Sequence, residues 1–438
     1  MKSKVLLASL FGACGLAATL NPQAIRATGA VTHDEIVDTL LRQDAFLLPK
    51  TSHKMLVERT RTLNRRNLDS HSLAAAVAGD HHTRALSEAP PSTVPEVQDS
   101  AGVVWKEAKK TKVRYGPYRI PPVSEDNWEA KLLGVRGLAD TLKIGAKKPC
   151  NGECLMLTMT ADLEYADGSP GNNSNGAWMH HIVLLNAGPE VREPTCDLPR
   201  VENIFMSGND RSVSDFALQN STIKSGYTIK PSDTFILSTE LMNMDDKEKW
   251  VWVTLTYEYI DGPTPPGYKQ GKTVWQTIGV PIGACGRTWT NPFGTSNLTI
   301  SQRPKSQAFT EHSVPWTATR DAWMLDTGGH MHDGAISMEI FVNKQRVCNS
   351  LPKYSKTAPM GMSKVISLSK RQAKDSSNVE IEHIESQGYC EFLNGIAIKK
   401  GEEMYIQASY DFKIHPGMKD KHGDLDEVMG IVGSLVAF

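Results

Sequence analysis

From Val103 onward, short runs of apolar and β-branched residues are separated by Gly, Pro, Asn and Asp. Runs of this length bounded by turn-forming residues are typical of β-strands, and their number favours sandwiches or jelly rolls over βαβ units. The predicted strands are 113–115, 154–163, 182–185, 234–239, 250–259, 335–342, 396–398, 404–411 and 428–438. The pattern therefore predicts an all-β protein.

The strand-rich part is interrupted by the sequence Asp-Gly-Pro-Thr-Pro-Pro-Gly at 261–267, which predicts a break between domains. We expect two tandem jelly-roll-like β-sandwich domains, over 103–262 and 263–438. Residues 21–102 differ in texture, with a basic stretch that ends at Arg65-Arg66 and an Ala/Ser/Pro-rich run. They predict either a propeptide or a partly disordered extension.

The first twenty residues resemble a secretory signal peptide, because Lys2 and Lys4 precede an apolar, small-residue-rich run. No later segment is apolar enough to predict a membrane span. The six Cys outside this leader allow up to three disulfides in about 15 pairings. We expect a secreted glycoprotein with acceptor sites at Asn172, Asn220 and Asn297. The net charge of -1 gives no reason to expect nucleic acid as a partner.

Two tight His pairs carry the candidate chemistry, since imidazole is the commonest side-chain ligand of transition metals. His330 and His332 stand two residues apart beside a predicted strand, so both side chains point to one face and can hold one ion. Met404 is the candidate third ligand, and its thioether favours copper over zinc. The alternative is a structural role for both His.

The second pair, His180-His181, has adjacent residues, which point to opposite faces of a regular strand. Both can bind a metal only at a strand end or a bulge, and the preceding Gly/Asn-rich loop favours such a distortion. The alternative is one buried and one exposed His. His81-His82 lies in the extension, where no scaffold is predicted to fix the geometry of ligands.

These motifs together resemble the ascorbate-dependent copper monooxygenases, the family of peptidylglycine α-amidating and dopamine β-monooxygenases. The run Asp426–Val432, together with 179–181 and 329–334, is similar to the plant stress-upregulated nodulin-type proteins. The resemblance implies two copper ions, one in each domain, facing each other across a gap. His330, His332 and Met404 would form the catalytic centre, where O2 oxidises a C–H bond of an unknown small molecule. His180 and His181 would bind the electron-transfer copper, with ascorbate as donor.

The chain departs from this family at two places. Where the family has a third His on a downstream strand, this sequence has Glu240, with Met242 or Met244 as alternative ligands and a solvated Glu as the bland interpretation. Gly328 and Ala408 stand where the amidating enzymes anchor a peptide carboxylate, so glycine-extended peptides are not the expected substrate. The competing hypothesis is a non-catalytic extracellular binding module with a single or vestigial metal site.

The remaining polar residues are assigned simpler roles. Asp326 and Asp333 are candidates to accept a hydrogen bond from a metal-bound imidazole. His383, His415 and His422 lie on polar stretches, and we expect them to be exposed.

Overall fold

The computed structural model describes Glu35 and residues 88–127, 136–195, 197, 199–243, 245–278, 307–357, 381–417 and 428–438. Apart from Glu35 and residues 88–102, the leader and extension lie outside the described residues, as do Met244, Cys196, Cys285, Asn297 and His422. The regular secondary structure of the described residues is almost entirely β-strand, so the all-β prediction is confirmed. Within them, no helix has the length and hydropathy needed to cross a bilayer.

The first half of the described chain is a sandwich of two antiparallel sheets. One sheet has the order β1-β2-β10-β4-β8, with β7 beside β4, and the other has the order β3-β9-β5-β6. Their strands are β1 (Val97–Ala101), β2 (Lys109–Ile120), β3 (Leu138–Ala146), β4 (Cys154–Glu164), β5 (Ala177–Arg192), β6 (Pro199–Ser207), β7 (Ser214–Asp215), β8 (Ser225–Ile229), β9 (Thr234–Asn243) and β10 (Lys249–Asp261).

The second half is built in the same way. One sheet has the order β11-β21-β14-β19, and the other has the order β12-β20-β15-β16, with β13 beside β20. A separate two-stranded ribbon is formed by β17 and β18. Their strands are β11 (Lys269–Thr277), β12 (Ala308–His312), β13 (Trp316–Thr317), β14 (Ala322–Met331), β15 (Ala335–Val342), β16 (Gln345–Ser350), β17 (Pro352–Thr357), β18 (Ile381–Gln387), β19 (Tyr389–Ile398), β20 (Glu403–Asp411) and β21 (Gly430–Ala437).

Each half has its own apolar core, because alternate residues of the facing strands point inward. Phe205, Phe235 and Tyr257 are fully buried in the first core, and Trp316 and Tyr410 are fully buried in the second. The predicted domain break lies between β10 and β11. The two cores lie on either side of it, and the exact domain bounds stay a prediction.

One sheet continues from the first half into the second. β8 pairs in parallel with β11 through Ser225 and Gly226, which joins the two halves into a single ten-stranded sheet. Side chains add to this junction, since the Trp275 indole N–H donates to the Asn203 carbonyl at 3.1 Å. The halves are therefore in direct contact, and no solvent-filled gap separates them here.

Two disulfides form among the described Cys. Cys150 bonds to Cys154, and Cys348 bonds to Cys390. The second disulfide joins β16 to β19 across the sandwich, next to Thr327 of β14. It therefore supports the strand that carries His330.

Candidate metal centre

The structure brings both His pairs together in one cluster between the two halves. The ring centroid of His181 lies 5.4 Å from that of His330 and 6.1 Å from that of His332. His180 lies 4.2 Å from His181 and 6.2 Å from His332 by the same measure. The pairs therefore share one site, whereas the family resemblance implies two separate centres.

A bulge in β5 allows both His180 and His181 to face this site. In the pairing with β9, Met179 lies opposite Leu241 and His181 opposite Glu240, so His180 is the extra residue. A bulge turns a side chain that would otherwise point to the opposite face of the sheet. Both imidazoles line the same cavity as a result.

His330 and His332 reach the cluster from the end of β14. The register of β14 with β21 continues to Met331, so His330 and His332 flank the last paired residue. Their rings lie 5.7 Å apart on the same side. The His332 backbone N–H donates to the Tyr410 hydroxyl at 3.3 Å, which fixes the chain where the strand ends.

Glu240 lies beside the first His pair and hydrogen-bonds to it. The His181 Nδ1 is 2.8 Å from the Glu240 Oε2, and the His180 Nε2 is 4.0 Å from the same oxygen. An imidazole that donates its Nδ1–H to a carboxylate presents its unprotonated Nε2 to a metal. Ligand atoms of His180, His181 and Glu240 also lie within 4.8 Å of one another, so Glu240 can either orient His181 or act as the ligand expected from the sequence.

Asp210, which the sequence analysis did not single out, lies beside the second pair. Its Oδ2 is 3.5 Å from the His330 Nδ1 and accepts a hydrogen bond from the Ser212 hydroxyl. Burial opposes ionisation of this carboxyl, but the hydrogen bond and charge of His330 lower its pKa below the ordinary value. The only signal in the sequence was a polar turn, Gly208–Ser212, directly after β6.

Electrostatics keeps the first His pair neutral. Burial, followed by repulsion from the His181 ring, lowers the pKa of His180 well below its ordinary value of 6.5. Burial, followed by repulsion from His330 and His332, does the same to the pKa of His181. Only the neutral imidazole can bind a metal, so both residues are in the form that a ligand requires.

The donor set fits a transition metal ion. Ligand atoms of His181, His330 and His332 lie within 4.8 Å of one another. Two ligands about 2.0–2.1 Å from one ion lie at most about 4 Å apart, so small ring movements would bring the three nitrogens onto it. The Nε2 atoms of His181 and His330 are buried and have no hydrogen-bond partner among the described residues. A buried polar atom without a partner is costly, and a metal ion would satisfy both.

Met404 is not brought to this cluster, and Met242 is not among the described residues that line the cavity. Met404 is fully buried in the core of the second half, on the face of β20 that also buries Ile406, Ala408 and Tyr410. Met242 pairs with Trp178 and Leu138 on the sheet of the first half. The even spacing of apolar residues in β20 explains the position of Met404, since alternate residues of a strand share one face.

The prediction that His383 and His415 are exposed is wrong. His383 is 8% exposed and lines the cavity, and its Nδ1 is 2.5 Å from the Asp333 Oδ2. His415 is half-buried and stacks on the Tyr354 ring at 3.7 Å between centroids. Both contacts join residues far apart in sequence, which a local count of polar neighbours does not detect.

The two Asp proposed as imidazole acceptors behave differently. Asp333 accepts a hydrogen bond from an imidazole, but the donor is His383 and not one of the His of the cluster. Its Oδ1 also accepts a hydrogen bond from the Ile384 N–H at 2.9 Å. Asp326 lines a second cavity, which shares His330 and Gln387 with the first, and its Oδ1 has no partner among the described residues. Burial, then the charges of Asp215 and Glu391, raise the pKa of Asp326 well above its ordinary value.

Comparisons with known proteins give two curated relatives, while no family model matches the chain. The "Probable copper-dependent oxygenase M1" of Phoma sp. is 28% identical over 329 residues, which cover 75% of this chain and 72% of the relative. The "Probable copper-dependent oxygenase clz3" of Cochliobolus lunatus is 28% identical over 274 residues, which cover 62% of this chain and 76% of the relative.

A solved structure of peptide-N(4)-(N-acetyl-β-D-glucosaminyl) asparagine amidase covers 75% of this chain and 96% of its own, at 10% identity and a TM-score of 0.28. A TM-score this low supports no inference about fold or function. The two curated relatives support the predicted relationship to copper oxygenases, whereas the closer links to the amidating enzymes and the nodulin-type proteins stay predictions. Over three quarters of its length, the chain is thus similar to a copper-dependent oxygenase.

Proposed function

We propose that this protein is a copper-binding oxygenase with one metal centre shared by its two halves. The observation that carries the proposal is the convergence of four imidazoles, from β5 and from the end of β14, on one cavity. In this proposal His181, His330 and His332 hold the ion, and His180 supplies a fourth nitrogen. Met404 has no part in the centre, because its side chain lies in a core.

The choice of copper over zinc rests on the relatives. Because Met404 is not brought to the cluster, its thioether no longer favours copper. Imidazole suits both copper and zinc, so the chemistry of the ligands alone does not separate the two. Both curated relatives are named as copper-dependent, which favours copper here.

Two carboxylates beside the centre orient the imidazoles of His181 and His330. Glu240 and Asp210 hold the Nδ1 atoms of His181 and His330, so that the Nε2 atoms face the ion. Bound copper would supply the reduction of O2 that oxidises a C–H bond of a small-molecule substrate. Trp178, Met331 and Ile384 give the cavity apolar walls beside the cluster, and these walls would hold the apolar part of a substrate.

The finer parts of the proposal concern the electrons and the site of action. We infer that ascorbate supplies the electrons and that the protein acts after secretion. The two disulfides are consistent with an oxidising compartment. No Lys or Arg is among the described residues that line the cavity, which agrees with the expectation that peptide carboxylates are not substrates.

An oxygen electrode tests the proposed activity. Copper-loaded full-length protein, freed of unbound copper, should consume O2 with ascorbate faster than the copper-free protein, and His330→Ala treated in the same way should lose the excess. His312→Ala, at an exposed position on β12, is the matched control and should keep it. Tightly bound copper without any excess O2 uptake would contradict the oxygenase and favour the non-catalytic binding module.

A further inference from the structure

An Asp–His pair next to the cluster has no role in the proposed metal centre. His383 lies on β18, in the ribbon that covers one side of the cavity, and Asp333 follows the ligand His332 directly. The His383 Nδ1–H donates to the Asp333 Oδ2 at 2.5 Å. The carboxylate therefore fixes the imidazole ring in one orientation.

The contacts of His383 hold it firmly in this wall. The Ile384 N–H donates to the other oxygen of Asp333 at 2.9 Å, so one carboxylate fastens two consecutive residues of β18. The Trp178 ring meets the His383 ring edge-on, with 5.3 Å between centroids. Both rings belong to the lining of the cavity.

The Nε2 of His383 is the ring nitrogen that remains available to a ligand. Among the described residues, no protein group hydrogen-bonds to its Nε2, while its Nδ1 is occupied by Asp333. An oriented polar atom at the wall of a cavity is the usual means of fixing the orientation of a ligand. The neighbouring Trp178 and Ile384 are apolar, so a ligand would make its polar contact with His383 and apolar contacts with these two neighbours.

We propose that His383 is a substrate-binding residue that hydrogen-bonds to a hydroxyl group on an uncharged substrate with an apolar body. A hydroxyl both donates and accepts a hydrogen bond, so it matches an imidazole nitrogen. The apolar body would pack on Trp178 and Ile384, with the cluster of imidazoles beside it. This inference rests on the proposed function, because it assigns the substrate class of the same site.

The test compares 4-fluorophenol with 4-fluoroanisole, in which a methoxy group replaces the hydroxyl and removes its hydrogen-bond donor. Their binding to the full-length chain, loaded with copper(I) under argon, is followed by fluorine NMR, since copper(I) is diamagnetic. Wild type should bind 4-fluorophenol about tenfold more tightly, as expected for one hydrogen bond to a buried group. His383→Leu should bind both probes equally with unchanged copper stoichiometry, and its melting temperature should fall because the buried Asp333 loses its imidazole partner.

Two further variants keep the result interpretable. His383→Gln retains a hydrogen-bonding group and should restore part of the preference, which a merely structural role would not predict. His312→Leu is the matched control on exposed β12 and should keep the full preference. Equal binding of both probes to wild type, an unchanged preference in His383→Leu, or loss of copper from His383→Leu would each overturn the proposal.

Failure of the proposed function is recognised separately. If wild type binds no copper, the copper centre is refuted, and the two probes are titrated into the metal-free chain. A preference for 4-fluorophenol that depends on His383 would then still support the subsite, and its absence would refute it.

Discussion

At the scale of single residues, two carboxylates organise the cluster. Glu240 and Asp210 each lie beside the Nδ1 of one imidazole, and the buried Nε2 atoms of His181 and His330 have no partner within the part of the chain that the structure describes. Such outer groups fix the orientation of a ligand and raise its basicity. The metal affinity of the site should therefore depend on residues that do not bind the ion.

We expect Asp210→Asn to weaken copper binding by about 10- to 100-fold, because the amide keeps the size of the side chain and loses its charge. Competition with a chelator of known affinity measures the change. Asp162→Asn, at an exposed carboxylate that pairs with Arg211, is the control. An unchanged affinity in Asp210→Asn would mean that this carboxylate does not act on the site.

The geometry of the site also depends on Gly208. A Cβ at this position would lie 2.8 Å from the His180 carbonyl oxygen and 3.6 Å from the His330 Cε1. Gly208→Ala should therefore displace the His180 backbone and the Asp210 carboxylate, whose Oδ1 would lie 3.1 Å from the Cβ, and lower copper affinity. Gly152→Ala is the matched control, since a Cβ there meets nothing within 4 Å. Equal copper affinity in the two variants would contradict the crowding argument.

At the scale of secondary-structure elements, the site depends on how two strands end or distort. The bulge in β5 points two adjacent His to one side, and the end of β14 does so for two His that are two residues apart. Both features could be expected from the sequence, since neighbouring residues on a regular strand point to opposite faces. The predicted strands were found for the same reason, because apolar runs and turn residues are local signals.

The contacts between elements could not be predicted in this way. Asp210 and His330 are 120 positions apart, and Asp333 and His383 are 50 apart. No local pattern brings such residues together, and only the pairing of the strands does so. The burial of Met404, by contrast, follows from a local pattern. Met404, Ile406 and Ala408 occupy alternate positions, which indicates a face of β20 that packs in the core.

The disulfide between β16 and β19 gives a prediction at this scale. Chain-entropy arguments give about 4 kcal/mol for a cross-link with a sequence separation of 42 and about 2 kcal/mol for one with a separation of 4. The double variant Cys348→Ala with Cys390→Ala should therefore lose more free energy of unfolding than Cys150→Ala with Cys154→Ala. Urea unfolding measures both. Equal losses would show that loop length does not govern these disulfides.

At the scale of the whole molecule, the two halves are held together by a continuous sheet and a buried polar contact. Lys272 of β11 pairs with Glu202 of β6 at 2.5 Å, and Glu202 also accepts from the Tyr227 hydroxyl. Because β11 and β6 belong to different halves, this pair fixes one half against the other. The metal site lies at the same junction and needs the halves to stay in register.

Lys272→Met should cost about 3–5 kcal/mol of stability near neutral pH, because it leaves a buried carboxylate without its charge partner. Burial raises the pKa of Glu202 above its ordinary value of 4.5, against the effect of Lys272. A carboxyl whose pKa is raised by folding stabilises the fold at pH values below its pKa in the unfolded chain, and this stabilisation is lost as the pH rises through its pKa in the folded protein. The free-energy cost of Lys272→Met should therefore shrink toward acidic pH. Urea unfolding at pH 5 and pH 8 tests this. Equal cost at both values would contradict the assignment.

The most direct test of the shared centre is the number of copper ions per chain, measured by elemental analysis in wild type, His181→Ala and His330→Ala. One ion in wild type, lost in either variant although the two His come from different halves, is the result we predict. Two ions, with one lost in each variant, would contradict the single centre and restore two separate sites.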